Sequence, residues 1–191
     1  MISIALAAAV LALGASPSGI AATQTPASGA DPGNLTRFSR GVKSRFDTIK
    51  RDIVEAAEAV PESEYAFKPT PDVRSFGELV GHIADAQNFF CGVAAGNNPE
   101  YSDAIEKSKL PTKAGLVSAL KASVATCDEV YAKTTAANAL ELVKAGKSDA
   151  LRGMLLLDNI SHDNEHYGNI VTYMRLKGHV PPSTARTQKT Q

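Results

Sequence analysis

The chain has 191 residues, 43% of them hydrophobic, with 20 basic and 20 acidic side chains and a formal net charge of zero. That length suffices for one ordinary domain with a real core, and that hydrophobicity excludes a disordered chain. No basic run or stripe is present, which excludes an electrostatic footprint for nucleic acid.

The first thirty residues carry no charged side chain. Within them, "IALAAAVLALGA" (Ile4 to Ala15) is too short to span a bilayer, which needs about 20 residues. Small residues follow in "SPSGIAATQ", with Ala21 and Ala22 as cleavage positions. The pattern is that of a secretory signal peptide over residues 1–22, with only the α-amino group standing in for basic residues at its start. It predicts an exported protein, periplasmic or secreted, with no membrane anchor after cleavage. Residues 23–33, with Pro26, Gly29, Pro32 and Gly33, read as a flexible leader.

Leu35, Phe38, Val42, Phe46, Ile49, Ile53, Ala56 and Val60 recur at spacings of three and four, a helical stripe that Pro61 ends. The segment 61–74 contains three prolines and must be a connection. A second helix starts at "SFGE", where Ser75 and Glu78 have capping-box spacing. Its apolar residues, from Phe76 to Val93, cover a wide arc, so it touches several neighbours; a homodimer through this arc is equally permitted. A third helix follows Pro111 and Thr112, with Leu116, Leu120, Val124, Cys127 and Tyr131 on one face. The stretch 135–149 is weakly patterned, and Ser148 is the expected cap of a fourth helix from about Ala150 to Lys177. Gly178, Pro181 and Pro182 stop that helix, and residues 184–191 read as a loose polar tail. No segment shows sustained period-two alternation, so the reading is all-α, a four-helix bundle over residues 34–183 with long connections at 61–74 and 95–111.

The two cysteines are Cys91 and Cys127. A disulfide between them would close a loop of about 37 residues and add roughly 4 kcal/mol in the chain-entropy model. Two buried free thiols are the alternative. On the helical wheel Cys91 lies about 180° from His82, so such a bond would stand away from the histidines.

Histidine is the informative residue type. His162 and His166 fall about 40° apart on the fourth helix and about 6 Å along its axis, among Leu155, Asn169 and Tyr173. This places them in the centre of the helix's buried face, where a pair at i and i+4 can converge on one ion. His82 repeats the situation on the second helix, among Leu79, Ala86, Phe89 and Val93. Three inward imidazoles with no common partner would cost roughly 1–3 kcal/mol for each unsatisfied group. One divalent ion would accept a nitrogen from each, so the residues point to a metal site at His82, His162 and His166. The alternative is a set of hydrogen-bonded core histidines. His179 lies beyond the helix cap and is excluded. "HDNEH" also matches the H-x-x-E-H of inverted zinc peptidases, but residues 167–191 contain no acidic ligand to complete that site. Glu165 and Asp85 are the candidate catalytic residues, each able to orient an imidazole or to act on a substrate proton.

"RSFGELVGHIADAQNFFC" and "HDNEHYGNIVTYMRLKGHVPPS" together resemble the DinB/YfiT-like superfamily of metalloenzymes, over residues 34–183. The resemblance implies a four-helix bundle in which one histidine of the second helix and two of the last hold a divalent metal, often zinc or nickel. His82, His162 and His166 occupy those positions. Characterised relatives include transferases and isomerases that use a low-molecular-weight thiol. The expectation is therefore a metal-activated nucleophile attacking a small-molecule electrophile, a thiolate in a transferase or hydroxide in a hydrolase. A non-catalytic metal or small-ligand binding protein of the cell envelope is the competing class. An export signal departs from the thiol-dependent relatives, whose cofactors are cytoplasmic.

Overall fold

The computed structural model describes residues 32–108 and 112–189. The expected signal peptide and residues 23–31 of the leader lie outside the described residues. Helix α1 spans Pro32–Ala59 and so takes in the last two residues assigned to the leader. Its stripe is buried from Phe46 onward, whereas Phe38, expected in the same stripe, is 55% exposed at the rim of a small cleft that Tyr131 and Leu156 also line. Helix α2, Phe76–Ala95, begins with both halves of the capping box: Glu78 N donates to Ser75 Oγ at 3.2 Å, and Ser75 N to Glu78 Oε2 at 2.6 Å. Helix α3 covers Lys113–Lys133, with Thr112 as its cap, and α4 covers Arg152–Leu176.

Side-chain pairs fix the helix directions. Along α2 and α3, Gln87 meets Ser123 and Cys91 meets Cys127, so these helices run parallel. Along α2 and α4, His82 meets His162 and Ala94 meets Arg152, so these run antiparallel. Phe46 stacks on Tyr131 and Lys121 pairs with Glu58, which sets α1 against α3. α2 and α1 each pack on both α3 and α4. Parallel neighbours cannot be joined by a short turn. The chain therefore returns after α2 along the length of the bundle, and the described part of this return strap, residues 97–108, crosses the histidines.

The wide apolar arc of α2 is spent in the core, against α3, α4 and the strap. Gly81 is required by the strap: a Cβ there would sit 2.8 Å from the Cα of Glu106. Asp85 holds the strap from below, accepting backbone N–H groups of Ile105 and Glu106 at 2.9–3.2 Å. Cys91 and Cys127 form a disulfide with Cα atoms 5.2 Å apart, at the end of α2 remote from the histidines.

Three expectations are corrected. First, the region read as strand-free holds an antiparallel hairpin, β1 (Leu142–Ala145) and β2 (Ser148–Leu151). Gly146 takes φ +62° at the first turn position, as a two-residue hairpin loop requires. One face of the hairpin, Val143 with Ala145 and Ala150, packs on the core, but strands of four residues are too short to show sustained alternation. Second, Ser148 lies in β2 and does not cap α4. Leu151 precedes α4 without a side-chain cap, and Arg152 N donates instead to Glu141 O at 3.0 Å. Third, the tail is helical over Pro182–Lys189, as α5. Tyr167 donates to Ser183 Oγ at 2.9 Å, and Arg186 pairs with Asp52 and Glu55 of α1. These ties are tertiary and leave no periodic trace in a polar sequence.

Candidate metal centre

α2 and α4 cross where His82 faces His162 and His166. The His162 Nε2 atom lies 3.1 Å from His82 Nε2 and 3.1 Å from His166 Nε2, and ligand atoms of the three residues all lie within 4.8 Å of one another. His166 is buried, and His82 and His162 are half-buried. The sequence placed the pair at the centre of α4's buried face. The structure puts Asn159, Asp163 and Ile170 there, all fully buried, and the histidines at the margin that opens toward the strap. A metal site needs that margin, because a ligand in the middle of the core would have no route to solvent.

The other side of each ring sets its tautomer. His82 Nδ1 lies 2.9 Å from Glu106 Oε2 and 3.2 Å from the Tyr101 hydroxyl. A carboxylate only accepts, so Nδ1 carries the proton and Nε2 presents its lone pair. The Asn169 Nδ2 amide lies 3.4 Å from His166 Nδ1, a long contact in which the amide N–H donates to the ring nitrogen. His162 Nδ1 is buried with no hydrogen-bond partner among the described residues.

Charge at the site follows from burial. Burial, reinforced by the two neighbouring imidazoles, pushes His162 down to about 4. Burial and then His82 push His166 down to about 4. Burial and then Arg74 lower His82, against an opposing pull from Glu106. All three rings are therefore neutral at physiological pH.

This donor set fits a divalent cation. With the His82 Nε2 lone pair fixed, His162 Nε2 can donate to one neighbour or accept from the other. It cannot satisfy both 3.1 Å contacts at once. A cation among the three nitrogens removes the conflict, and 3.1 Å is near the separation of about 3.3 Å expected for two nitrogens on one tetrahedral zinc. Among the described residues, no fourth side chain joins the cluster.

The remaining predicted residues are elsewhere. Asp85 is buried but turns both oxygens to the strap backbone, so it does not orient His82. Glu165 is exposed on α4 and makes no hydrogen bond to an imidazole. His179 pairs with Glu64 at 2.8 Å, outside the cluster as expected. Residues that the sequence did not point to complete the surroundings. Glu106 also accepts from Arg74 Nε at 2.8 Å. Tyr101, Phe89, Phe90 and His162 form a chain of ring contacts with centroids 5.5–5.8 Å apart, which walls one side. A cavity of about 530 Å³ borders Glu106, Lys107 and Glu78 but reaches none of the histidines.

A second buried polar layer lies below the histidines. Gln87 Nε2 donates to Asp163 Oδ2 at 2.9 Å, and Ser123 Oγ donates to Gln87 Oε1 at 2.8 Å. Beside it, Asn159 Nδ2 donates to the Tyr131 hydroxyl at 3.2 Å. Asp163 Oδ1 and Asn159 Oδ1 are both buried without a partner among the described residues. Burial pushes the Asp163 carboxyl up to about 8, against the lowering effect of Gln87.

Comparison with known proteins agrees with this architecture. The family model described as the DinB superfamily matches residues 45–170, which include all three histidines. The crystal structure of a DinB-like protein from Bacillus cereus superposes with a TM-score of 0.63 at 14% identity, covering 75% of this chain and 95% of that one. A DinB-like protein from Bacillus subtilis gives 0.59 at 21% identity, covering 73% and 93%. A conserved protein from Enterococcus faecalis gives 0.55 at 17% identity, covering 74% and 96%. At these identities the structures establish the shared fold. No curated protein matches the chain.

Proposed function

For a chain that belongs to the DinB superfamily, we propose the function of a divalent-metal-dependent enzyme that directs an activated nucleophile at a small electrophile. One observation carries this reading: three neutral imidazoles from two helices aim their Nε2 atoms at a common point. A bound zinc or nickel ion would supply a Lewis-acid charge that brings the pKa of a coordinated water or thiol toward neutrality. The chain's own residues do the rest. Glu106 keeps the proton on His82 Nδ1, and Arg74 adds positive charge beside it. Phe89, Phe90 and Tyr101 offer an aromatic wall suited to a small, partly apolar substrate.

Water and a low-molecular-weight thiol are the two nucleophiles in question. The resemblance to thiol-dependent transferases supports the thiol. The Cys91–Cys127 disulfide and the apolar N-terminal run support an exported protein, where water is the available nucleophile.

A specific observation favours a second reading, a non-catalytic metal or small-ligand carrier. Both carboxylates nearest His82 are already engaged, Asp85 with backbone N–H groups and Glu106 with Arg74 and His82. No carboxylate among the described residues stands free over the cluster as a general base. The experiment has two stages. Metal content of protein purified without a His-tag should be near one ion per chain and fall to near none in His162→Ala. Equal metal in both would end the metal reading. Assay of the loaded protein with electrophilic esters, with and without added thiol, then separates turnover from the stoichiometric binding of a carrier.

A further inference from the structure

The strap meets the metal centre at His82 Nδ1, through one carboxylate, Glu106, and more distantly through the Tyr101 hydroxyl at 3.2 Å. Glu106 Oε2 is 2.9 Å from His82 Nδ1, and Glu106 Oε1 is 2.8 Å from Arg74 Nε. The Glu106 side chain is 13% exposed and that of His82 12%, so the bond between them is shielded from competition by bulk water. The backbone at the same residue is fixed independently: Glu106 N donates to Asp85 Oδ2 at 2.9 Å, and its Cα closes onto Gly81, one residue before His82. Backbone and carboxylate are thus both referenced to α2. Such a placement has a chemical consequence for the ring. A neutral imidazole free in solution divides its proton between two nitrogens, whereas a carboxylate at Nδ1 selects the one tautomer whose Nε2 can ligate.

We propose that Glu106 is the positioning residue of the metal centre: it holds His82 in its ligating tautomer and, through that bond, couples metal occupancy to the ordering of strap residues 99–108. The inference rests on the metal reading above. It extends that reading by assigning a role to a residue of the strap, which is distant in sequence from every ligand. When an ion takes His82 Nε2, the ring's Nδ1–H becomes a stronger donor. The hydrogen bond to Glu106 tightens, and the strap with it. Conversely, a strap lifted from Gly81 removes the acceptor and leaves His82 free to rotate and change tautomer.

The test uses the full chain, with Co²⁺ and Zn²⁺ as probes. Affinity is measured by chelator competition, the Co²⁺ visible spectrum reports ligand geometry, and hydrogen exchange reports the strap. Wild type should bind the ion, and metal should slow exchange at the backbone N–H groups of Ile105 and Glu106. Glu106→Ala should bind about 10–100-fold more weakly, as loss of a carboxylate behind a metal-bound histidine does elsewhere. Its strap exchange should no longer respond to metal. Glu106→Gln keeps one acceptor oxygen at the same reach. It should recover part of the affinity and of the metal-dependent protection, which a purely steric role for the side chain would not predict. Wild-type affinity and an unchanged Co²⁺ spectrum in a folded Glu106→Ala would overturn the proposal while leaving the three-histidine site standing. Failure of the wild type itself to bind either ion would instead remove the metal reading and this inference together.

Discussion

Two buried polar layers lie near each other along α2, one at His82 and one at Gln87, and they are short of different things. The histidine layer consists of ring nitrogens aimed at one another, with the proton of the His82 ring held on its far side by Glu106. A cation is the partner that would suit all three. The lower layer is a chain of donors and acceptors, Ser123 to Gln87 to Asp163, that satisfies itself except for two orphan oxygens, Asp163 Oδ1 and Asn159 Oδ1. One more donor is what it lacks, and a proton on Asp163 would provide it. The same burial cost thus has two outcomes. At the solvent-facing margin it produces a cluster that could hold an ion from outside. In the middle of the core, where no ion can arrive, it produces a carboxyl that stays protonated.

The largest expected effect tests the first half of that contrast. Removing metal from wild type with a chelator should lower thermal stability, because an ion present at a thousand times its Kd stabilises the native state by about 4 kcal/mol. His162→Ala deletes the nitrogen shared by both 3.1 Å contacts, so its melting temperature should not respond to the chelator. A chelator-sensitive His162→Ala would place the ion somewhere other than this layer.

Asp163→Asn tests the second half. The native carboxyl is raised to about 8 from an ordinary 3.8. Its contribution to stability is therefore fully present below about 3.8 and is lost as pH rises through about 8, with a slope approaching 1.4 kcal/mol per pH unit between them. The lowered pKa values of His162 and His166 act oppositely, costing stability as pH falls from 6.5 toward about 4. The informative quantity is thus the difference between variant and wild type in the metal-free protein. An amide at residue 163 keeps an acceptor for Gln87 and gains a donor without titrating. The variant should gain on wild type steadily from pH 4 to 8 in denaturant melts; a flat difference would mean that Asp163 is ionised in the fold.

These layers differ as much in how visible they are in the sequence. Three histidines on apolar helix faces, two of them at i and i+4, announce themselves, and four of the helices follow from periodicity and capping. The Ser75–Glu78 box was legible for the same reason: both partners are local. Glu106 left no signal, because it sits in an aperiodic strap and meets His82 only through a crossover whose path depends on the helix order. The Asp163 layer was partly visible, since Asn159, Asp163 and His166 share one face of α4. The histidine spacing drew attention to the wrong centre for that face. The hairpin was missed because its strands of four residues are too short to establish a period, and α5 because it is short and polar and is held by contacts with distant segments.

The disulfide offers a way to sharpen the comparison, since it marks a third level of α2 beyond Gln87. Replacing Cys91 and Cys127 together by Ala should cost about 2–4 kcal/mol, mainly through the unfolded chain. It should leave metal affinity within a factor of about two, because sites without shared partners combine nearly additively. A large loss of metal binding in the double variant would mean that the levels of α2 are mechanically linked and that the histidine layer is not a local construction.

The smallest effect comes from the opposite end of the same helix. Ser75 caps α2 through Glu78 N, directly after Arg74, whose carbonyl accepts from Tyr173 at 2.8 Å. Ser75→Ala should cost about 1 kcal/mol of stability. Its consequences should be graded along α2. Fraying of the first turn lies near Gly81 and His82, so metal affinity should fall by a few-fold. The Gln87 layer, further along the helix and tied to both α3 and α4, should keep its hydrogen-exchange protection. Equal loosening of both layers would show that α2 opens as one unit, and that the separation between an ion-seeking margin and a proton-holding core is one of chemistry and not of local stability.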